Sequence, residues 1–147
     1  MPYKLFLDDV REPSQIFKTT TNKEWEIARN YSNFVEIVKE RGLPFMVSFD
    51  HDLAEEHYRP SMYASDKHYT KYYNDGTFKE KTGYHAAQWL VTYCLDNNID
   101  LPKWNVHSMN PIGKENIIAL LQSYEKFRFS HSEKSSEGQS VGKENTD

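Results

Sequence analysis

Three short apolar segments, each followed at once by acidic or polar residues, constrain the fold of this chain most strongly. They cover residues 3–7, 45–49 and 104–107. A short apolar run bounded by polar residues is typical of a strand that is buried on both faces. Stretches with helical spacing of apolar residues separate the later runs. This alternation predicts a mostly parallel sheet joined by right-handed crossovers.

The other elements follow from their own local signals. Residues 24–29 alternate between polar and apolar side chains and predict a strand. Helices are predicted from Ser32 to Gly42, from Thr82 to about Asn97, and from Asn110-Pro111 onward, each with a residue suited to begin a helix. The predicted order is β-β-α-β-α-β-α, an α/β fold.

Two segments lack such patterns. Residues 54–81 are rich in Tyr, His and charged residues, and are predicted to form a long loop. This loop is either a lid that stacks on a nucleotide or a segment that packs on the domain surface. Residues 130–147 are almost without apolar side chains, which predicts a flexible polar tail after a domain of residues 1–129.

Composition narrows the class of partner. The formal net charge is -4, whereas a protein that binds duplex nucleic acid is usually basic, so no duplex partner is expected. A small phosphorylated ligand needs only a local positive site and stays compatible with this charge. The single Cys94 lies in an apolar helical stretch and is predicted to be buried. With no apolar run of membrane-spanning length, the chain is expected to be cytoplasmic, and its many Lys, Asn and Tyr residues suggest an AT-rich, viral genome.

Acidic residues follow two of the predicted strands. Asp8 and Asp9 end the first apolar run, and Asp50 ends the second. Ligands of parallel sheets bind beyond the carboxyl ends of the strands, so these carboxylates are expected to meet on one edge of the sheet. Crowded carboxylates repel unless a cation neutralises them, and oxygen ligands suit Mg²⁺ or Mn²⁺. The alternative is that each Asp caps the turn after its strand.

The segment after the third apolar run suggests a phosphate-binding site. Here a polar strand end, with His107, Ser108 and Asn110, runs directly into a helix start. Free backbone N–H groups at a helix N-terminus bind anions, Gly113 allows close approach, and Lys114 adds a positive charge. His107 is a candidate general acid or base. The alternative is an ordinary capped helix with a surface lysine.

Arg11 and Asp52 extend the same edge. Arg11 follows the first acidic pair by two residues and is predicted to bind phosphate through its planar guanidinium, or else to pair with Asp8 or Asp9. Asp52 is predicted to be a further metal ligand or a general base. The remaining histidines lack the close spacing of a zinc site.

Four segments together resemble a known family, the cyclic-phosphate-processing receiver-like domains. They are residues 5–13 (LFLDDVREP), 48–53 (SFDHDL), 82–84 (TGY) and 107–117 (HSMNPIGKENI), and the resemblance extends over about residues 3–124. It implies a receiver or flavodoxin-like three-layer fold. It also implies that Asp8 and Asp9 match the metal-binding pair of receivers, Asp50 the phosphorylated residue, and Ser108 the hydroxyl position.

The activity that the resemblance implies is processing of cyclic phosphates on nucleotides or RNA ends. His51, Asp52, His107 and Asn110 lie outside the receiver pattern and favour hydrolysis, so a metal-assisted phosphoesterase is predicted with His51 and Asp50 among its catalytic residues. The chain departs from receivers because residues 12–23 predict no helix and no strand follows Ile117. Two alternatives stay open: a signalling domain phosphorylated on Asp50, and a module that binds a nucleotide or protein without catalysis.

Overall fold

Four parallel strands form the sheet in a computed structural model that describes residues 2–58, 60 and 64–139. The spatial order is β2-β1-β3-β4, and β1 lies between β2 and β3. The strands are β1 Lys4–Leu7, β2 Trp25–Ala28, β3 Met46–Phe49 and β4 Lys103–Val106. The predicted parallel sheet is therefore confirmed, and every strand points its carboxyl end at the same edge.

Four α-helices accompany the sheet: α1 Tyr31–Arg41, α2 Asp66–Asn74, α3 Gly83–Asp96 and α4 Pro111–Gln139. Helix α3 packs against both α1 and α4. Alternate strand residues such as Leu5, Leu7 and Phe49 are fully buried in a core shared with these helices. The receiver-like α/β fold expected from the sequence is confirmed.

The other face of the sheet is covered without an α-helix by the segment between β1 and β2, which contains two short 3-10 helices, Pro13–Gln15 and Asn22–Glu24. Phe17 from this segment stacks on Trp25, and Trp25 meets the ring of Phe6 edge-on. The polar character of residues 12–23 thus correctly predicted that no α-helix forms there.

Three sequence expectations need correction or comment. Helix α1 begins at Tyr31, since Asn30 and not Ser32 caps it by accepting the Asn33 backbone N–H. The segment 54–81 is not one loop, because it contains a 3-10 helix, Glu55–Tyr58, and helix α2. Helix α4 continues past residue 129 to Gln139, as helix propagation from a packed first half allows. Residues 140–147 of the predicted tail, like Arg59 and Tyr63 of the predicted loop, lie outside the described residues.

The start of α3 fixes the geometry of the carboxyl edge. Gly83 donates its backbone N–H to the His51 carbonyl at 2.7 Å. A Cβ at Gly83 would lie 1.7 Å from the Asp50 carbonyl oxygen, so only glycine permits this approach. The Thr82-Gly83 pair therefore locks the segment after β3 in place. In the part of the chain that is described, no helix is long and apolar enough to cross a membrane.

Candidate active site

Asp8 is the central carboxylate of the carboxyl edge. Its side chain is fully buried, with Oδ1 accepting the backbone N–H groups of Val10 (3.0 Å) and Arg11 (2.8 Å). Oδ2 lies 2.9 Å from Arg11 Nε and 3.0 Å from His107 Nε2. Burial opposes the charge, but these hydrogen bonds outweigh it and hold the pKa of Asp8 well below its usual range. Asp8 is therefore a permanent anion inside the protein.

Burial and the negative charge of Asp8 change the pKa values of Asp50 and Asp9. Burial, together with the charge of Asp8, raises the pKa of Asp50 to about 7. Burial and the same charge also raise the pKa of Asp9. The Oδ1 atom of Asp9 is buried and has no hydrogen-bond partner among the described residues. Two carboxyl groups at this edge are thus destabilised in their charged forms, and one buried acceptor is left unsatisfied.

His107 is held at both ring nitrogens. Nε2 contacts Asp8, and Nδ1 lies 2.7 Å from Ser48 Oγ, which in turn accepts the Asn105 side-chain amide at 3.2 Å. The ring stacks on Phe6 at a centroid distance of 4.5 Å. Burial lowers the pKa of His107, with Asp8 partly offsetting that effect. A neutral ring that accepts from Ser48 and donates to Asp8 satisfies every contact, so His107 positions Asp8.

The sequence-predicted cluster therefore assembles around one point. One ligand atom from each of Asp8, Asp50 and His107 lies within 4.8 Å of the others, and all three residues are buried. This is the only such group of acidic, histidine and cysteine side chains among the described residues. The expectation that acids from separate strand ends meet is correct, although His107 joins them where Asp9 was expected to.

Two arginines support the loop that carries Asp8. Arg11 donates from Nη2 to the His107 carbonyl at 3.4 Å and lies 3.7 Å from Asp50 Oδ1. Arg29 donates from Nη1 to the Asp8 and Arg11 carbonyls at 3.2 and 2.8 Å, and pairs with Glu12. Arg11 thus pairs with a carboxylate, which was the alternative to phosphate binding in the sequence analysis. Its partners are Asp8 and, at a longer distance, Asp50.

His51 occupies a different environment from the one predicted. It is fully buried, with Nδ1 2.7 Å from Asp52 Oδ1 and Nε2 2.6 Å from Asp66 Oδ1. Burial opposes protonation, but the two carboxylates outweigh it and raise the pKa of His51 to about 9. The Asn110 amide also donates to Asp52 Oδ1, and the Asn116 amide donates to Asp66 Oδ2. His51 is a buried imidazolium that ties β3, α2 and α4 together and has no nitrogen left for a substrate.

Gly113 also serves the packing of this imidazolium. A Cβ at this position would lie 2.4 Å from His51 Cγ. A phosphate was expected to approach Gly113 closely, but the His51 ring occupies that position instead. We predict that Gly113→Ala lowers the free energy of unfolding by about 1–3 kcal/mol through overpacking, as measured by urea denaturation.

The control for Gly113→Ala is Glu115→Ala, an exposed position in the same helix. This variant should stay within about 0.5 kcal/mol of the native protein. Equal stability of Gly113→Ala and the native protein would show that the His51 ring does not need this space.

The other predicted phosphate ligands are partly engaged in capping α4. Ser108 Oγ accepts the Asn110 backbone N–H, and Asn110 Oδ1 accepts the Gly113 backbone N–H, each at 3.0 Å. Ser108 is buried, whereas Lys114 is exposed. The Ser108 hydroxyl proton is free to donate elsewhere. Asn110 and Gly113 thus take part in an ordinary helix cap, as the alternative had it. The Ser108 hydroxyl proton and the exposed Lys114 ammonium group take no part in that cap.

Sequence reasoning missed Asp66. Asp66 lies in a segment interpreted as loop, although Tyr69, Tyr72 and Tyr73 follow at helical spacing and Gly76 comes just after the helix end. Those signals predict α2 and would have placed Asp66 in its first turn. No local signal pairs Asp66 with His51, because fifteen residues separate them.

Comparison with known proteins agrees with this geometry. The family model described as "Cyclic-phosphate processing Receiver domain" matches residues 3–123. A search of curated proteins and a search of solved structures each found no match. The matched range contains all four strands and every residue of the acidic edge, and it extends over most of the chain. The chain therefore belongs to the family of cyclic-phosphate processing receiver domains.

Proposed function

We propose that this protein is a metal-assisted phosphoesterase that hydrolyses a cyclic phosphate on a nucleotide or an RNA end. The observation that carries the proposal is the meeting of Asp8, Asp50 and His107 within 4.8 Å at the carboxyl edge of the sheet. A receiver domain in cyclic-phosphate processing is what the family description names. Hydrolysis, metal dependence and the substrate are parts of the proposal.

The acidic edge fits a hard divalent cation. Asp8, Asp9 and Asp50 are the residues that would hold Mg²⁺ or Mn²⁺, with His107 beside them. The Oδ1 atom of Asp9 has no hydrogen-bond partner among the described residues, and the pKa of Asp50 is raised. A cation at this edge would bind the first and stabilise the charged form of the second. A bound cation would neutralise phosphate oxygens and lower the pKa of a water molecule.

The surrounding residues have separate roles in this proposal. Arg11 would donate to a phosphate oxygen from the Nη end of its guanidinium, because its Nε already pairs with Asp8. Ser108 and Lys114 would contact phosphate oxygens from the start of α4. Asp52 would accept a proton from the attacking water, while His51 and Asn110 hold its carboxylate in place. His51 and His107 are positioning residues.

A second candidate function is phosphorylation of Asp50, as in a signalling receiver. Its position directly after β3, with a carboxylate oxygen within 4.8 Å of Asp8, favours this alternative. Against it, no fifth strand with a terminal lysine exists among the described residues. Acetyl phosphate should then label Asp50, and mass spectrometry of the intact protein would detect the added phosphate.

The test of the proposal is a turnover panel of 2′,3′-cyclic and 3′,5′-cyclic nucleotides, RNA with a 2′,3′-cyclic end, and ADP-ribose cyclic phosphate. We expect turnover of at least one substrate that EDTA abolishes and Mn²⁺ restores. Folded protein that turns over none of them, with or without metal, would contradict the proposal.

Metal binding gives a separate prediction. Asp9→Asn should weaken Mn²⁺ binding about tenfold or more, measured by isothermal titration calorimetry, because it replaces a charged oxygen ligand. Asp9 is better suited to this test than Asp8, whose side chain accepts the backbone N–H groups of Val10 and Arg11 and so holds the loop. Asp96→Asn, at an exposed acid at the end of α3, is the control and should bind Mn²⁺ as the native protein does. Equal affinity of both variants would remove Asp9 from the metal site.

A further inference from the structure

A cavity of about 320 Å³ opens beside the acidic edge. Its volume lies in the lower part of the range for small-molecule pockets. Four separate segments line it: the segment after β3 with its 3-10 helix, helix α2, the segment after β4, and the start of α4. The lining residues used below are Asp52, Tyr58, Pro60, Met109, Asn110 and Pro111.

Two of these residues are large, apolar and strongly exposed. Tyr58 is 58% exposed and Met109 is 83% exposed. A single exposed apolar side chain is ordinary on a protein surface. Two in one cavity, with the rings of Pro60 and Pro111, form apolar walls that have no partner among the described residues. Such walls suit a flat apolar surface.

The polar part of the cavity faces the acidic edge. Asp52 lines the cavity and is two residues from Asp50. Asn110 also lines the cavity and donates its backbone N–H to Ser108 Oγ at 3.0 Å, so the cavity lies next to Ser108 of the proposed phosphate site. The cavity is therefore adjacent to the place where a phosphate would bind.

Two polar side chains of the cavity, Asp52 and Asn110, are held rigidly. Asp52 is fixed by His51 at 2.7 Å, and Asn110 is fixed by Asp52 at 3.3 Å and by the Gly113 backbone N–H at 3.0 Å. Rigid polar groups among apolar walls orient a ligand that has a planar apolar face and a polar edge. A nucleobase has this combination, whereas an inositol or a simple sugar presents hydroxyl groups on all sides.

We propose that this cavity binds the nucleobase of the substrate, with Tyr58 and Met109 as the stacking surfaces that confer specificity for nucleoside phosphates. The inference rests on the proposed function for the position of the phosphate, and it adds the surface that recognises the base. Stacking of a base on an aromatic side chain strengthens binding by about tenfold or more. Tyr58 and Met109 contact the base in this proposal and take no part in the chemistry.

The first test is independent of catalysis. Protein labelled with ¹³C at the methionine methyl groups is titrated with adenosine and with cytidine, which carry no phosphate, and the Met109 signal is identified with Met109→Leu. We expect the Met109 methyl signal to move upfield under the ring current of the base, and Tyr58→Ala to weaken this response about tenfold. No movement of the signal with either nucleoside at millimolar concentration would overturn the inference.

The second test compares a nucleoside 2′,3′-cyclic phosphate with glycerol 1,2-cyclic phosphate, which has no base. We expect kcat/KM to favour the nucleoside by about tenfold or more, and Tyr58→Ala to reduce this preference about tenfold through a higher KM for the nucleoside substrate. Tyr58→Phe should retain the preference, and Leu95→Ala, an exposed apolar position on α3, is the matched control.

The two tests separate the failure of this inference from the failure of the proposed function. Equal kcat/KM for both substrates would overturn the inference and leave the phosphoesterase intact. Turnover of neither substrate, together with a Met109 response that Tyr58→Ala weakens, would reject the phosphoesterase and retain a nucleobase-binding cavity. Loss of turnover on both substrates in a folded Tyr58→Ala protein would place Tyr58 in the chemistry and overturn its role as a base-stacking residue.

Discussion

Asp66→Ala is expected to lower the free energy of unfolding by about 3–5 kcal/mol, because it removes one partner of a buried charge. Asp66 accepts from His51 Nε2 at 2.6 Å and from the Asn116 amide at 2.8 Å. The variant leaves both donors without these acceptors inside the protein. Urea denaturation at pH 7 with EDTA present measures the loss without interference from metal.

The control for this prediction is Asp100→Ala. Asp100 also pairs with a cation, Arg128 at 2.9 Å, but its side chain is 81% exposed. Ion pairs in water contribute about 0–1 kcal/mol, so this variant should change stability very little. If both variants lose the same small amount, the buried imidazolium does not stabilise the fold.

The same contact predicts a pH dependence. The folded pKa of His51, about 9, exceeds its ordinary value of 6.5, so its stabilisation is complete below about pH 6.5 and is lost as the pH rises toward 9. Native protein in EDTA should therefore lose roughly 2 kcal/mol of unfolding free energy between pH 7 and pH 9. In Asp66→Ala the loss should be smaller, since one of the two carboxylates that raise this pKa is gone. A native protein whose stability is constant over this interval would contradict the assignment.

Asp50→Asn is expected to reduce turnover by more than about 100-fold. Residues that only hydrogen-bond to a metal ligand usually cost about 10–100-fold when mutated, and a ligand itself should cost more. The side chain would lose the charge needed to hold a cation, while its remaining carbonyl oxygen can still accept the His51 backbone N–H that now lies 2.8 Å from Asp50 Oδ1. The measurement is kcat/KM with Mn²⁺ on the best substrate of the panel.

Stability separates a catalytic effect from a folding effect in this variant. The pKa of Asp50 is raised to about 7, so the charged form opposes folding above that pH, and Asp50→Asn should be at least as stable as the native protein at pH 8 without metal. Full turnover by Asp50→Asn would remove Asp50 from the mechanism. Turnover absent from both proteins, with acetyl phosphate labelling only the native one, would favour the signalling function.

These predictions also separate two groups of charged residues. Asp8, Asp9 and Asp50 face the carboxyl edge and are the residues on which activity should depend. His51 and Asp66 form a buried ion pair and are the residues on which stability should depend. Asp52 links the groups, because it holds His51 and lines the neighbouring cavity. Mutation of Asp52 should therefore affect both turnover and stability.

The sequence alone determined the sheet and the position of its acids. Apolar runs that end abruptly in Asp8 and Asp50 are local features, and parallel strands bring their carboxyl ends together whatever the loops do. The helix start at Pro111 and the burial of Cys94 follow in the same way from adjacent residues. Helix α2 was missed although its spacing signals were present, because Tyr, His and charged residues obscured them.

The tertiary structure decided which of those residues are available for chemistry. His51 follows Asp50 directly and was expected at the active site. Instead, one ring nitrogen contacts Asp66, which lies fifteen residues further along the chain. The other contacts Asp52, whose carboxylate is held by Asn110, fifty-eight residues further along. Gly113 was assigned to a phosphate and instead makes room for the His51 ring. A sequence shows which side chains can ionise or donate. Which of them have their hydrogen bonds satisfied inside the protein depends on contacts between distant segments, and only the folded chain brings those segments together.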